Sequence, residues 1–268
     1  GHKIVVADLS GIELRVNHFL WKEPVSMKMF IDSPDLADPY KDFASKLYSV
    51  KYSDVDKQQR QVGKVAHLGL GFGAGHVTFQ KAAKTMGNVV ITRKESRDIV
   101  ERWRFEYGNI AAGWRKCHEM LQLIIDGTEG IAVDPWGLVT TTSFGLKTPR
   151  GYIRYPNLRL EVDEDGQSEY VYAEGQKKAR IYAGKIDENI VQHLARCVIA
   201  DNALTVQKLI GLRPSLMVHD ELVYVVPEDQ AVDTLDAVQE VMRQPPVWWP
   251  ELVTWSEGDI ADTYGDAK

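Results

Sequence analysis

The strongest constraint on this chain is a pair of aspartates near its opposite ends, each in a setting that fixes local structure. Residues 3–7 form a short, mostly β-branched run that reads as a buried strand and ends at Asp8. Residues 216–218 and 222–226 read as the arms of a hairpin, with His219-Asp220-Glu221 at its turn. If the two aspartates serve one site, the first strand and the late hairpin lie side by side in one sheet. Everything between them is then an excursion from that sheet. Each aspartate also has a plainer reading on its own, Asp8 as a helix cap and Asp220 as a turn residue.

The excursion is helical first and sheet-like later. Residues 12–19 have helical spacing directly after Asp8. Asp38-Pro39 is a helix start, with Asp as cap and Pro at the first helical position, and Tyr40, Phe43, Ala44, Leu47 and Tyr48 continue it on one face. Ser53 is placed to cap the next helix, with Asp54 and Asp56 favourable in its first turn. The pattern stays helical and rich in Lys and Arg from 75 to about 127, then changes to short β-like runs from about 130 to 172. Asp163-Glu164-Asp165-Gly166, between two such runs, reads as a hairpin loop. A long helix is expected from 187 to about 209, stopped at Gly211, and a last amphipathic one from 227 to 242, ended at Pro245-Pro246. This order implies an α+β fold, a helical subdomain inserted into a sheet-based one.

Composition bounds the function classes. A chain of 268 residues, 44% apolar and 26% charged, holds one large domain or two small ones with an ample core. It has no run of eighteen apolar residues, so no membrane span is expected. Gly1-His2 reads as a residue of cloning rather than a signal peptide. Cys117 and Cys197 are the only cysteines, which points to a reducing compartment and not to a disulfide framework. The net charge of −6 runs against phosphate binding. The basic residues are nevertheless clustered at 57–64, 81–104 and 177–185, and part of the acidic excess sits in 163–165 and the C-terminal tail.

Residues 60–73 bear on nucleotide chemistry. A rise of about 1.5 Å per residue sets Arg60, Lys64 and Leu68 on one helical stripe, roughly 6 Å apart at each step. Two cations and an apolar residue so arranged match a nucleotide from phosphates to base; a solvated basic face is the bland alternative. The run Gly69-Leu70-Gly71-Phe72-Gly73-Ala74-Gly75 is not a dinucleotide-binding loop, because a charged helical segment precedes it and not a strand. Its glycines suit close approach of a template base and its backbone.

Three motifs stand in order: Asp8-Leu9-Ser10-Gly11-Ile12-Glu13-Leu14-Arg15, then Arg60-x-x-x-Lys64-x-x-x-Leu68-Gly69-x-x-Phe72-Gly73, then His219-Asp220-Glu221. The set resembles motifs A, B and C of the family A DNA polymerases, the bacterial polymerase I type and its phage relatives. The resemblance covers nearly the whole chain. It implies an antiparallel-sheet palm carrying a helical fingers insertion, with palm at 1–37, fingers at 38–127 and palm again at 128–268. The implied reaction is template-directed DNA synthesis, nucleotidyl transfer from a dNTP to a primer 3′-hydroxyl by a two-metal mechanism.

The resemblance also implies roles. Asp8 and Asp220 are the catalytic carboxylates, and with the Leu9 carbonyl they hold two Mg²⁺ ions, Mn²⁺ being an alternative; such hard ions suit oxygen ligands. Glu221 is either a peripheral ligand or a solvated turn residue. Glu13 matches the gate that excludes a ribose 2′-hydroxyl, or is a carboxylate favoured at a helix N-terminus. Arg60, Lys64, Leu68, Phe72 and Tyr40 fall at nucleotide-binding positions. Asn189, Gln192 and Arg196 form a polar stripe on the long helix, read either as DNA-binding at the primer terminus or as a solvated face. His219 resembles the histidine that reaches the primer end, while Arg15 ties helix to sheet and His67 lies beside the nucleotide stripe as a structural residue. Residues 151–156 and 245–250 also look phage-type. Leu68 and Phe72 depart from the family's aromatic and tyrosine, Tyr40 from a histidine, so Phe72 offers Glu13 no phenol.

The partners implied are primer–template DNA and dNTPs, with no membrane. A thumb, and often an exonuclease, precedes motif A in the family, so an upstream region in cis or as a separate chain is a further expected partner. The chain then reads as a palm–fingers piece or a split-polymerase subunit, cytoplasmic, in the host cytoplasm if phage-encoded. The alternatives are a catalytically idle nucleic-acid-binding fragment and a structural domain whose site has decayed.

Overall fold

A computed structural model describes residues 1–162 and 166–267; the hairpin loop expected at Asp163-Glu164-Asp165 lies outside the described residues. The chain opens with β1 (His2–Leu9), α1 (Ile12–Leu20), α2 (Pro24–Asp32) and α3 (Pro39–Tyr48). Four more helices follow: α4 (Lys57–Leu70), α5 (His76–Gly87), α6 (Arg93–Glu106) and α7 (Gly108–Ile125). Then come β2 (Thr140–Thr142), β3 (Gly145–Thr148), β4 (Gly151–Arg154), β5 (Arg159–Val162), β6 (Ser168–Glu174) and β7 (Lys177–Ile181). The long α8 (Ala183–Ile210), β8 (Leu216–Val218), β9 (Glu221–Pro227), α9 (Ala231–Met242) and β10 (Ser256–Ala261) complete it. This is the expected α+β fold. No described helix is long and apolar enough to cross a membrane.

Two compact units share the chain, one made of 1–16, 30–35 and 191–268, the other of 17–29 and 36–190. The first is built on a four-stranded antiparallel sheet in the order β10-β1-β9-β8. The first strand thus pairs directly with the second arm of the late hairpin, as the two aspartates required. Strand alternation gives the sheet two different faces. Val5, Ala7 and Leu9 of β1 and Leu222, Tyr224 and Val226 of β9 are buried on one of them. Helix α9 packs against β1 and β10, and Gly258 of β10 makes that possible, because a Cβ there would lie 2.8 Å from a methyl of Leu235. Ile4, Val6 and Asp8 point to the opposite face, together with Glu221, Val223 and Val225.

The second unit holds α3 to α7 and two three-stranded antiparallel sheets, β2-β3-β4 and β5-β6-β7. Helix α3 starts where Asp38-Pro39 indicated, with the Asp38 side chain accepting from the Lys41 N–H at 3.0 Å. Helix α4 begins later than expected. Ser53 does not cap it; its hydroxyl donates to Asp54 in a short 3₁₀ turn, and Asp56 caps the helix in a reciprocal box with Gln59. An extended Asp followed three residues on by Gln satisfies two orphan donors at once, which a serine three residues upstream cannot do. Gly63 seats α4 on α3, since a Cβ would stand 2.1 Å from the Tyr40 carbonyl.

Helix α8 starts at Ala183, four residues before the expected position, because the Tyr182 carbonyl already accepts from Lys185 and Ile186. Asp187 is therefore not a helix start. It is a buried acceptor for the indole N–H groups of Trp21 at 2.8 Å and Trp114 at 3.3 Å, and burial pushes its carboxyl up to about 7. Gly211, with φ of +74°, ends α8 as read from the sequence. Residues 228–230 form a 3₁₀ turn before α9, which starts at Ala231 and not at 227.

Candidate active site

Motif C closes the β8–β9 hairpin with only His219 and Asp220 between the paired Val218 and Glu221. Such a tight connection needs a residue with positive φ, and His219 supplies it at +54°; the strain is on the order of 1–2 kcal/mol. The turn is then fixed to β1 through the backbone, as the Leu9 N–H donates to the Asp220 carbonyl at 3.1 Å. One strand further, Asp8 stands opposite Glu221 on β9 and opposite Glu257 on β10. Three carboxylates thus form a row across the sheet on one face, with Asp220 at the turn beside them.

Like charges placed directly opposite each other destabilise a sheet, so this row carries a cost that folding alone does not explain. The electrostatics locate it. Asp8 is pushed up to about 7, first by burial and then by the nearby negative charges of Asp220, Glu221 and Glu257, with the Asp220 side chain within hydrogen-bond reach. Two carboxylates that close either share a proton or take a cation between them. The donors are all oxygen, the chemistry that fits Mg²⁺ or Mn²⁺. Among the described residues no set of three or more His, Cys, Asp or Glu converges on a ready-made metal cage. Mg²⁺ in nucleotide enzymes commonly takes one or two carboxylates and completes its shell with water and substrate phosphates. Asp8 and Asp220 fit that mode.

A cleft of about 310 Å³ opens beside the pair, lined by Ile12, Glu13, Gln192, Ala195, Arg196, His219 and Asp220. It gathers candidates from α1, α8 and the motif C turn within the first unit. Beneath them Arg15 is buried, donating to the carbonyls of Ser10 at 2.8 Å and Pro34 at 2.6 Å and lying over the Phe30 ring. It ties the start of α1 to its surroundings, the structural role read from the sequence. Asn189 is not in this group; its amide donates to the Tyr155 hydroxyl at 3.2 Å in the second unit.

The second unit carries the motif B residues. Arg60, Lys64 and Leu68 form an exposed stripe along α4, as the helical spacing required. Their partners differ. Arg60 pairs with Asp38 at 2.5 Å and lies over the Tyr40 ring, whereas Lys64 has no ion-pair partner among the described residues. His67 faces the other way, buried among His18, Phe43, Trp103 and Tyr107, with its ring 3.2 Å from the Pro39 carbonyl; burial lowers its imidazole to about 3. Of the glycines after α4, Gly71 and Gly73 lie against protein, whereas a Cβ on Gly75 would meet open space. The Phe72 carbonyl would lie 2.0 Å from a Cβ on Gly184, and the Gly71 carbonyl accepts from Asn17 and Trp114.

Sequence reasoning missed Glu257 and Tyr264. The hydroxyl of Tyr264 donates to Glu221 Oε2 at 2.5 Å. Strand β10 gave no apolar alternation, with Glu257, Gly258 and Asp259 in its middle. The one available signal was that β1 needed a second neighbour to cover its other edge.

The site is an acidic one at the end of an antiparallel sheet, with an all-oxygen set of side-chain donors in Asp8, Asp220, Glu221 and Glu257. Residues 1–122 match the sequence model of DNA polymerase family A. The chain is 28% identical over 277 aligned positions to a DNA polymerase of Bacillus phage SP02, an alignment covering 98% of this chain and 41% of that protein. It is 24% identical over 242 positions to DNA polymerase I of Pseudomonas aeruginosa, covering 90% of this chain and 23% of that one. Among solved structures, the POL domain of Pol1 from M. smegmatis, in complex with DNA primer-template and dNTP, shares the fold at a TM-score of 0.66 and 22% identity, over 99% of this chain and 40% of that one. Over these stretches the chain is similar to the family A DNA polymerases of the bacterial and phage type. It spans less than half the length of these relatives.

Proposed function

We propose that this chain carries the nucleotidyl-transfer site of a template-directed DNA polymerase, which joins a dNTP to a primer 3′-hydroxyl. The observation that carries the reading is the Asp8–Asp220 juxtaposition, two carboxylates from opposite ends of the sequence brought within hydrogen-bond reach and raising the proton affinity of Asp8. When bound, a pair of divalent cations, Mg²⁺ or Mn²⁺, supplies activation of the attacking hydroxyl and neutralises the leaving pyrophosphate.

The protein's own residues do the rest. Asp8 and Asp220, with the Leu9 carbonyl, hold the cations, and Glu221 lends charge from the side. Glu13 walls the cleft where a ribose 2′-hydroxyl would sit. Lys64 and Arg60 take the triphosphate, the first as a compact charge and the second as a planar fork, with Leu68, Phe72 and Tyr40 against sugar and base. Gln192 and Arg196 face the primer end, Gln192 toward minor-groove acceptors that are alike for all base pairs, and His219 reaches the primer terminus. Asn189 shares their helix stripe in a supporting position. In this reading 1–37 and 128–268 are palm and 38–127 fingers, and the enzyme works in the cytoplasm. Because the relatives are longer, an upstream thumb or exonuclease region, in cis or as a separate chain, is part of the proposal.

The test is single-nucleotide primer extension in Mg²⁺ by the wild type, Asp8→Asn and Asp220→Asn. Extension by the wild type alone supports the assignment. Equal extension by either variant overturns it. If no form extends a primer but all bind primer–template, the chain is the nucleic-acid-binding piece of the alternative reading.

A further inference from the structure

The segment after β10 returns over the sheet. Tyr264 and Ala267 pack with Val6 and Val223, with Ile4 and Ala261 at the border of the same apolar cluster. Register puts Val6 and Asp8 on one face of β1, and Val223 and Glu221 on the same face of β9. The tail therefore covers the face that carries the acidic row, and from there the Tyr264 hydroxyl donates to Glu221 Oε2.

Packing does not require that hydroxyl. The apolar contacts with Val6 and Val223 use the ring, and phenylalanine would make them equally well. What the hydroxyl adds is direction. Val6 and Val223 sit two residues along their strands from Asp8 and Glu221, about 6–7 Å away at the usual strand rise. A phenol anchored there draws the Glu221 carboxylate along β9 toward Val223, whereas Asp220 lies on the opposite side, at the turn. A hydrogen bond to a carboxylate also takes up a lone pair that would otherwise face a cation.

We infer that Tyr264 is a positioning residue that holds Glu221 back from the Asp8–Asp220 pair and thereby sets how tightly the pair takes a divalent cation. The inference rests on the nucleotidyl-transfer reading of that pair. It gives motif C's second acid a defined place, an outer charge restrained by the C-terminal tail, and so makes cation affinity a property of the tail as well as of the two aspartates. Released from the phenol, Glu221 can swing toward the turn and add a third carboxylate to the cation's surroundings.

The experiment titrates Mn²⁺ into the whole chain and follows free Mn²⁺ by electron paramagnetic resonance, a readout independent of catalysis. Tyr264→Phe is expected to tighten binding threefold or more with an unchanged far-ultraviolet circular dichroism spectrum. Deletion of 264–268, which removes phenol and tail together, is expected to give the same gain. The gain should vanish in the double variant Tyr264→Phe/Glu221→Gln when compared with Glu221→Gln alone. Unchanged affinity in the folded Tyr264→Phe chain, or a gain that persists without the Glu221 carboxylate, overturns the inference while leaving the metal pair intact. Wild-type binding that is indifferent to Asp8→Asn overturns the pair itself, and this assignment with it.

Discussion

The Leu9 N–H donates to the Asp220 carbonyl at 3.1 Å, so the end of the first strand and the late hairpin turn are held together by backbone and not by their carboxylates. The two side chains are thus brought close by a scaffold that gains nothing from their charge. A site built this way tolerates loss of a carboxylate in its fold and not in its chemistry.

Asp8→Asn is accordingly expected to abolish divalent-cation binding and nucleotide incorporation without lowering thermal stability. The pH dependence gives a sharper check. Asp8 titrates near 7 in the folded chain against a reference of 3.8, so the folded state holds an extra proton between those values. Its stabilising effect is complete below about pH 4 and is lost as pH rises toward 7. In chelator, the melting temperature of the wild type relative to Asp8→Asn should fall across that window, and Mg²⁺ at pH 8 should restore it. A difference that stays flat with pH would show that Asp8 is not crowded by its neighbours.

Asp187 makes the same kind of statement in the second unit. Its buried carboxyl, pushed up to about 7, accepts from Trp21 and Trp114. Trp21→Phe removes one donor and some packing. The packing loss is the same at every pH, whereas a donor matters most to a charged acceptor, by about 1.5–3 kcal/mol. Urea denaturation should therefore show a larger penalty at pH 8 than at pH 5. Equal penalties would mean that the indole contributes only volume.

Much of this was legible in the sequence, and the misses have physical causes. The strand ending at Asp8, the cap at Asp38, the hairpin at 216–226 and the stop at Gly211 follow from local chemistry: β-branching, an Asp-Pro step, a two-residue turn, a left-handed glycine. The Asp8–Asp220 pairing was legible only through the resemblance of their two motifs, because nothing local to either residue points to the other. Strand β10 was hidden because Gly258 answers to α9 and the β1 backbone, not to strand propensity. Helix α8 was expected from 187 and not 183 because the tertiary partners of Asp187, Trp21 and Trp114, lie far off in sequence. The Asp38–Arg60 pair joins two residues that were read separately, one as a cap and one as a phosphate ligand.

Gly184→Ala tests the packing read into the glycines. A Cβ there would lie 2.0 Å from the Phe72 carbonyl, a backbone atom that cannot rotate away. Overpacking of this kind costs about 1–3 kcal/mol, and the shift should appear in the urea midpoint. A midpoint that does not move would show that the segment around Phe72 adjusts freely.

Glu13 lines the cleft beside Asp220. If its bulk excludes the ribose hydroxyl, Glu13→Ala raises ribonucleotide incorporation relative to deoxyribonucleotide, while Glu13→Gln, of equal size, changes it little. Primer extension with each sugar separates the two. Similar discrimination in the Ala variant and the wild type would remove Glu13 from this role.

The motif B cations should not be equivalent. Arg60 already has a counter-charge in Asp38 and must give it up, or share it, to meet a phosphate, whereas Lys64 has no ion-pair partner among the described residues. Lys64→Ala should then weaken dNTP binding more than Arg60→Ala, by roughly tenfold if one charge-assisted hydrogen bond is lost. Asp38 offers a control that few positions allow. Asp38→Asn keeps an oxygen for the Lys41 N–H, which preserves the cap on α3, but it removes the negative charge that engages Arg60. In that background Arg60 is released toward the nucleotide, and Arg60→Ala should cost as much as Lys64→Ala does in the wild type. A fluorescent dNTP titrated into the wild type, the three single variants and the Asp38→Asn/Arg60→Ala double variant at two salt concentrations measures this, with the Lys64 effect shrinking as salt rises. Equal losses at Arg60 in both backgrounds would show that Asp38 does not restrain it, and that the Asp38–Arg60 pair is only a surface contact.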